Sequence, residues 1–300
     1  MRNETIAALT TYARANPDVV LLTADLGYSV LEQFADALPN QYSNVGICEQ
    51  AMVGIAAGLA LSGRRVALYS IANFPTLRCL EQLRNDVCYH NLPVTVISVG
   101  GGLAYGTQGY THHGVEDLGI MSMLPNMSVA CPADPIEAEA LIQQLLELRR
   151  PGYLRLGRSG EPIIHEQGIQ IELGRAIQIK KGKDIALLAM GPLLTQTIAA
   201  HEALCAKGIS ASVYSIPTLR PLDEKTVLQA ARDHRAILTI EEHSTTGGFG
   251  ARVADLLLGN GLTPRFGKYG ITEDLRGKIG SQSWLLKRLP SIEDHALALL

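Results

Sequence analysis

A glutamate at the start of a segment of small residues is the first residue whose position suggests chemistry. Glu49 follows a short run at 44–48 and precedes residues 52–60, which are almost all small or aliphatic. This composition predicts a helix that another helix or a partner subunit can approach closely. A carboxyl group at its first turn could contact a ligand. It could also simply complement the helix dipole, which is worth about 0.3–1 kcal/mol.

The second candidate is the glycine-rich segment 100–116, which carries the adjacent histidines His112 and His113. Loops this long within compact domains are usually functional or disordered. Adjacent histidines point in different directions and therefore make a poor metal chelate. The pair is predicted to transfer protons or form hydrogen bonds at a ligand, and a solvated loop with incidental histidines is the alternative.

The third candidate is Phe74, which stands beside Pro75 after another run of aliphatic residues. An aromatic ring at such a turn can contact a ligand, although packing in the core is its ordinary use. Motifs for binding nucleotide phosphates, for serine hydrolases and for zinc proteases are missing from the sequence. The chain also lacks a Gly-Asp-Gly motif with a downstream Asn, which would hold magnesium and a diphosphate. No metal ligands are therefore predicted in this chain.

Strands and helices that must position these residues alternate along the chain. The predicted strands cover 19–22, 66–71, 94–99, 153–156, 184–190, 211–216, 236–241 and 264–269. The predicted helices cover 3–16, 49–62, 75–90, 133–149, 193–207, 223–233 and 247–259. Alternation of this kind indicates βαβ units and a parallel sheet. Ligands of such sheets bind at the carboxyl ends of the strands, where the segment 100–116 begins.

The length of 300 residues and the break in this rhythm predict an α/β protein of two consecutive domains with mainly parallel sheets. We place the first domain at 1–160, a linker at 161–175 and the second domain at 176–300. The net charge of −3 argues against binding to nucleic acid or to an anionic membrane. Five cysteines without a CxxC pair argue against a disulfide framework and predict a cytoplasmic protein.

Several short motifs, taken in order, resemble those of the C-terminal half of transketolase, nearly from end to end of the chain. The motifs are TADL at 23–26, NVGICEQ at 44–50, GYTHHGVED at 109–117, LPNM at 124–127, CPAD at 131–134, GR at 157–158, EEH at 241–243 and GGFG at 247–250. The resemblance implies a pyrimidine-binding domain followed by a transketolase C-terminal domain. Chains of this kind occur as separate subunits of split transketolases.

The resemblance also implies how the chain would bind the cofactor thiamine diphosphate. The glutamate that matches Glu49 hydrogen-bonds N1′ of the aminopyrimidine and promotes removal of the proton from the thiazolium C2. An aromatic residue at the position of Phe74 stacks on the pyrimidine ring. Asp25 and Leu26, in the first matching motif, are expected to contribute to the same cofactor site.

Three further residues are implied in substrate binding. The histidine that matches His112 faces the substrate and can bind it or carry protons. Arg158 matches an arginine that binds the distal phosphate of a sugar phosphate. Gln108 replaces an acidic residue that reads a hydroxyl group of the acceptor. Gly100 and Gly101 stand where related enzymes carry a second basic residue, so we expect substrates outside the usual pentose phosphates.

The implied enzyme is a transferase that moves a two-carbon ketol unit between sugars or sugar phosphates. A separate partner subunit would hold the diphosphate and Mg²⁺, and two copies of each chain would form an α2β2 heterotetramer. The alternatives are a subunit like the beta chain of 2-oxo-acid dehydrogenases, a deoxyxylulose-phosphate-synthase-like subunit, or a non-catalytic partner subunit.

Overall fold

The computed structural model describes residues 1–275 and 277–300. The helices are α1 (Arg2–Ala15), α2 (Glu32–Ala37), α3 (Glu49–Leu61), α4 (Leu80–Gln82), α5 (Asp117–Met123), α6 (Pro135–Glu147), α7 (Leu194–Ala206), α8 (Glu224–Asp233), α9 (Phe249–Gly259), α10 (Gln282–Leu286) and α11 (Ile292–Ala298). The strands are β1 (Val19–Thr23), β2 (Tyr42–Asn44), β3 (Arg65–Ile71), β4 (Val94–Val99), β5 (Ser128–Ala130), β6 (Gly152–Leu156), β7 (Ile177–Lys180), β8 (Ile185–Met190), β9 (Ala211–Ser215), β10 (Thr218–Arg220), β11 (Ala236–Ser244) and β12 (Arg265–Ile271).

The strands form two sheets whose pairs are mainly parallel. The first sheet has the order β10-β5-β6-β4-β3-β1-β2, and its only antiparallel pair among the described residues joins β10 to β5. The second sheet has the order β12-β11-β8-β9-β7, with an antiparallel pair at β7 and β9. Largely aliphatic strands such as β4 and β8 are buried along their whole length, as strands covered on both faces are. The predicted fold class is confirmed.

The segment predicted as one helix at 75–90 folds differently. It begins as a series of turns, in which the N–H groups of Leu77 and Arg78 both donate to the carbonyl oxygen of Asn73. A single helical turn, α4, then passes into a π-helical turn at Leu83–Cys88. The periodicity of apolar residues does not distinguish these kinds of turn.

One strand of the second half of the chain belongs to the first sheet. Thr218 pairs with Ala130 and Arg220 with Val129, so that β10 extends the sheet beyond β5. Arg220 also donates from its guanidinium to the carbonyl oxygens of Ser122 and Leu124, at 3.0 and 2.6 Å. The two halves of the chain are therefore joined by a shared sheet as well as by side-chain packing.

A buried arginine joins β6, the 100–116 segment and the second domain. The Nε atom of Arg155 lies 2.9 Å from Asp117 Oδ2. Its Nη2 atom donates to the carbonyl oxygens of Gly114 and Glu242, at 2.6 and 2.8 Å. Burial by itself would lower the pKa of Arg155, but the neighbouring groups together outweigh burial and raise that pKa, with the largest contribution from the carboxylate of Asp117. Arg155 is therefore a permanent structural cation.

Replacing Arg155 with Met is expected to lower the free energy of unfolding by about 3–5 kcal/mol, because the carboxylate of Asp117 would remain buried without its counter-ion. Urea unfolding of the purified chain measures the loss. Arg175→Met is the control, since Arg175 is exposed and its nearest carboxylate, on Glu172, is 3.9 Å away. Leucine in place of Asp117 should restore part of the stability in the Arg155→Met background. A loss below about 1 kcal/mol would show that this ion pair contributes little to the stability of the fold.

Other gross features follow from the described residues. No helix within 1–275 and 277–300 is long and apolar enough to cross a membrane.

All five cysteines carry free thiols. Burial raises the pKa of Cys79 and that of Cys88 to about 12, so both thiols stay protonated and unreactive at neutral pH.

Candidate active site

The predicted site residues follow the carboxyl ends of five neighbouring strands of the first sheet, β6-β4-β3-β1-β2, which are all parallel. Asp25 comes after β1, Glu49 after β2, Phe74 after β3, His112 after β4 and Arg158 after β6. The carboxyl ends of parallel strands meet at one edge of a sheet, where open α/β sheets bind ligands. The fold therefore gathers residues that lie up to 133 positions apart in the sequence.

Glu49 and Phe74 are connected by an arginine that the sequence analysis did not single out. Glu49 is the first residue of α3, and its side chain is only 4% exposed. Nη1 of Arg78 donates to Glu49 Oε2 at 2.7 Å. The guanidinium carbon of Arg78 lies over the ring of Phe74, 4.5 Å from the ring centroid. A buried carboxylate and an aromatic face therefore flank the same planar cation.

His112 lies at the edge of the same group. Its ring is 5.3 Å from the ring of Phe74 in an edge-on arrangement. Asn73 holds the histidine segment in place, because its Nδ2 donates to the carbonyl oxygens of Thr111 and His113 at 3.1 and 2.7 Å. The hydroxyl of Thr111 lies 3.0 Å from Nδ1 of His112, within hydrogen-bonding distance. The structure thus brings together Glu49, Phe74 and His112.

The two adjacent histidines have different environments. His113 is buried, and its Nε2 lies 3.4 Å from the carbonyl oxygen of Gly106. Burial lowers the pKa of His113, so its imidazole is neutral at neutral pH. His112 is only partly buried. His113 therefore serves the packing of the segment, and His112 is the histidine that a ligand can reach.

Asp25 and Leu26 form a separate part of the edge. The backbone N–H of Asp25 donates to Asn44 Oδ1 at 3.0 Å, and Asn44 Nδ2 donates back to Asp25 Oδ1 at 3.1 Å. The hydroxyl of Thr23 donates to the carbonyl oxygen of Leu26 at 2.9 Å. Asp25, Leu26 and Asn44 line a small cavity of about 110 Å³. None of the hydrogen bonds found in residues 1–275 and 277–300 joins this cavity to Glu49.

Arg158 lies at the other end of the edge. It is exposed, and its guanidinium carbon lies 5.6 Å from the ring centroid of Tyr105. Together with Gly101 and Thr107 it lines a pocket of about 500 Å³ between the two domains, whose far wall includes Gln282. Gln108 has an exposed side chain, and its backbone N–H donates to the carbonyl oxygen of Tyr105 at 2.9 Å. Tyr105 thus connects Arg158 to the segment that carries His112.

The three glycines at 100–102 allow close packing against three larger side chains. A Cβ atom on Gly100 would lie 2.1 Å from the ring of Tyr105. One on Gly101 would lie 2.3 Å from the guanidinium of Arg155, and one on Gly102 would meet the carboxyl group of Glu242 at 2.6 Å. Glu242 in turn accepts a hydrogen bond of 2.7 Å from the N–H of Leu103. A larger residue at Gly102 would displace the segment from Glu242 of the second domain, whereas one at Gly100 or Gly101 would displace the side chains packed there within the first domain.

Sequence reasoning missed Arg78, Asn73 and the structural use of the glycines. For Arg78 the available signal in the sequence was its position four residues after Phe74, because side chains at this spacing lie next to each other in a helical turn. Asn73 gave no such signal, since its partners lie about 40 positions away.

The geometry defines an α/β enzyme subunit with a carboxylate, an aromatic ring and a histidine at the carboxyl edge of its first sheet. Residues 1–161 match the family model for the pyrimidine-binding domain of transketolase, and residues 174–273 match that for the transketolase C-terminal domain. The chain is 36% identical to one subunit of the apulose-4-phosphate transketolase of Phocaeicola vulgatus, over 84% of this chain and 82% of that one. It is 32% identical to a 6-deoxy-6-sulfo-D-fructose transketolase subunit of a Clostridium species, over 93% and 90% of the two chains.

A solved structure described as "Split gene transketolase, inactive beta4 tetramer" has a similar fold. Its TM-score is 0.89 at 35% sequence identity, and the match covers 99% of this chain and 96% of that one. The chain therefore belongs to the transketolase family. It is a subunit of a transketolase-type transferase, and membership of the family implies thiamine diphosphate as the cofactor.

Proposed function

We propose that this chain is the pyrimidine-side subunit of a two-chain transketolase whose active site forms at the subunit interface. Two copies of each chain would assemble into an α2β2 heterotetramer in the cytoplasm. The partner would hold the diphosphate and Mg²⁺, since the sequence of this chain lacks the Gly-Asp-Gly motif with its downstream Asn. Relatives that are themselves named as single subunits of transketolases, and the similarity to a split-gene transketolase, support a separate partner.

The observation that carries the proposal is the space between Glu49 and Phe74. This space already accommodates a planar, nitrogen-containing group, because the guanidinium of Arg78 lies over the ring and donates to the carboxylate. An aminopyrimidine is also planar and can make the same two kinds of contact. The residues present therefore fit the pyrimidine end of thiamine diphosphate.

We assign the chemistry of this chain to Glu49 and His112. Thiamine diphosphate, when bound, supplies the carbon nucleophile that accepts and returns the two-carbon unit. Glu49 would hold a proton between its carboxyl group and N1′ of the pyrimidine, in a position from which water is largely excluded. Phe74 would stack on the ring, and Asp25 and Leu26 would border the cofactor on the neighbouring strand. His112, next to Phe74, would bind donor oxygens and carry protons.

Substrate recognition is proposed to depend on Arg158 and Gln108. Arg158 would bind an anionic end of the sugar through charge-assisted hydrogen bonds. The side-chain amide of Gln108 can both donate and accept hydrogen bonds, whereas a carboxylate can only accept them. Gln108 would therefore bind a hydroxyl group of the acceptor sugar differently from an acidic residue. The guanidinium that packs against Gly101 belongs to Arg155, which is buried and bound to Asp117. We therefore expect a donor or acceptor outside the usual pentose phosphates, in line with the unusual sugars in the names of two relatives.

The assignment of Arg158 predicts a selective loss. Arg158→Ala should lower kcat/KM by roughly tenfold to a hundredfold for sugars with a phosphate or sulfonate end, because a charge-assisted contact is worth about 1.5–3 kcal/mol. Unphosphorylated sugars should lose much less. On the charged sugars, kcat/KM of Arg158→Lys should lie between the values of the wild type and of Arg158→Ala, because lysine keeps the charge but lacks the planar guanidinium. Equal losses on charged and uncharged sugars would contradict the assignment.

The test of the proposed function is co-purification with a chain that carries the missing Gly-Asp-Gly motif, followed by profiling of donors and acceptors. Thiamine diphosphate and Mg²⁺ are supplied to the assembled chains. Formation of a new ketose from an aldose acceptor supports the proposal. Assembly and cofactor binding without any transfer, across a broad set of sugars and sugar phosphates, would favour a non-catalytic subunit.

A further inference from the structure

Arg78 makes the two contacts that the proposed function reserves for the aminopyrimidine ring. Its Nη1 donates to Glu49 Oε2 at 2.7 Å, where N1′ would bond. Its guanidinium carbon lies over the ring of Phe74, 4.5 Å from the centroid, where the pyrimidine would stack. Two groups cannot occupy the same face of Phe74 or the same lone pair of Glu49 Oε2 at once, so a pyrimidine bound at that face and that oxygen would exclude the guanidinium of Arg78.

We propose that Arg78 occupies the aminopyrimidine position while the cofactor is absent, and that it must swing out before the cofactor can bind. The inference rests on the proposed function, because it takes Glu49 and Phe74 as the pyrimidine site. Arg78 thereby becomes a determinant of cofactor affinity, in addition to the residues that contact the cofactor.

The burial of the two partners explains why an arginine stands here. The carboxylate of Glu49 is 4% exposed, and an unpaired charge in such a place is unfavourable. Arg78 provides a counter-ion, and its flat guanidinium also covers an aromatic face that would otherwise contact water.

The exposure of Arg78 explains how it can leave. Its side chain is 47% exposed, so the guanidinium can be solvated without disturbing the core. Its backbone lies in the turns that precede α4, and its N–H donates over a long 3.3 Å to the carbonyl oxygen of Asn73. The side chain of Arg78 can therefore move between the site and solvent while Glu49 and Phe74 stay in place.

Competition of this kind lowers apparent affinity by the fraction of molecules in which the site is open. If Arg78 fills the site in about two-thirds to nine-tenths of the molecules, the measured Kd is raised about threefold to tenfold. Removing the guanidinium should therefore tighten cofactor binding, which is the opposite of what truncating a cofactor-contacting residue does.

The experiment is calorimetric titration of thiamine diphosphate into the assembled, cofactor-free two-chain enzyme at saturating Mg²⁺. Arg78→Ala and Arg78→Met are compared with the wild type, the second variant keeping an apolar stem over Phe74. Arg84→Ala is the matched control, because Arg84 is an exposed arginine six residues away whose guanidinium donates to Asn85. It removes the same charge from the neighbouring stretch of chain without affecting the contact to Glu49.

We expect the Kd to fall about threefold to tenfold in Arg78→Ala, to fall in Arg78→Met, and to stay within twofold in Arg84→Ala. In a Glu49→Gln background, Arg78→Ala should lower the Kd by a smaller factor, because the ion pair that holds the side chain of Arg78 in the site is then absent. An unchanged Kd in both Arg78 variants, or a higher one, would overturn the inference. A wild-type complex that binds no thiamine diphosphate at all would instead contradict the proposed function.

Discussion

The purified chain, given thiamine diphosphate and Mg²⁺, is expected to show no measurable ketol transfer until its partner subunit is added. The expectation follows from the proposed function, in which a partner subunit holds the diphosphate because this sequence lacks the Gly-Asp-Gly motif with its downstream Asn. Addition of that subunit should restore activity with saturation at equal numbers of the two chains. Size-exclusion chromatography with light scattering reports the assembly, and a coupled assay of ketose consumption reports the turnover.

The structural relative described as an inactive beta4 tetramer agrees with this expectation for a similar chain. The control is the same chain at high concentration, which distinguishes weak self-assembly from a missing subunit. Ketol transfer by a homo-oligomer of this chain, at a rate within tenfold of the two-chain complex, would contradict an interfacial active site with the diphosphate on a partner.

The second large effect is expected from Glu49→Gln. Glutamine has nearly the same shape as glutamate, so α3 and the assembly should be preserved. Its amide cannot take up and return a proton at N1′, and positioned acid–base groups contribute about 10²–10⁴-fold to such steps. We therefore expect kcat of the two-chain enzyme to fall by roughly that factor, with little change in assembly.

Hydrogen–deuterium exchange at C2 of the bound thiazolium is the direct measurement for Glu49→Gln. Glu81→Gln is a suitable control, because Glu81 is an exposed glutamate of α4. Exchange in the Glu81 variant should equal that of the wild type. An unchanged exchange rate in Glu49→Gln would show that a different carboxylate acts on the pyrimidine.

The ion pair between Glu49 and Arg78 also bears on how the enzyme binds its cofactor. The cofactor-free chain keeps its buried carboxylate paired, and the assembled enzyme would exchange this partner for the pyrimidine. Cofactor affinity then depends on the exposed side chain of Arg78 as well as on the partner subunit.

The local sequence determined the fold class and the family of this protein. Strands such as β4 and β8 were predicted because each is a short, largely aliphatic run, and this property is contained within the segment itself. The motifs around Glu49 and His112 indicated the transketolase family for the same reason, since each is a short run of neighbouring residues. The parallel order of the strands then implied that residues at their carboxyl ends would meet.

The tertiary structure decided which side chains meet at that edge. It paired Arg78 with Glu49, set Asp25 and Leu26 around their own cavity, and placed the ring of Tyr105 against Gly100. It also added β10, from the second half of the chain, to the first sheet. These contacts join segments that are distant in the sequence, and they depend on the packing of both partners at once. No pattern within either segment carries that information, because the periodicity of a segment specifies which face is buried but not which residue it meets.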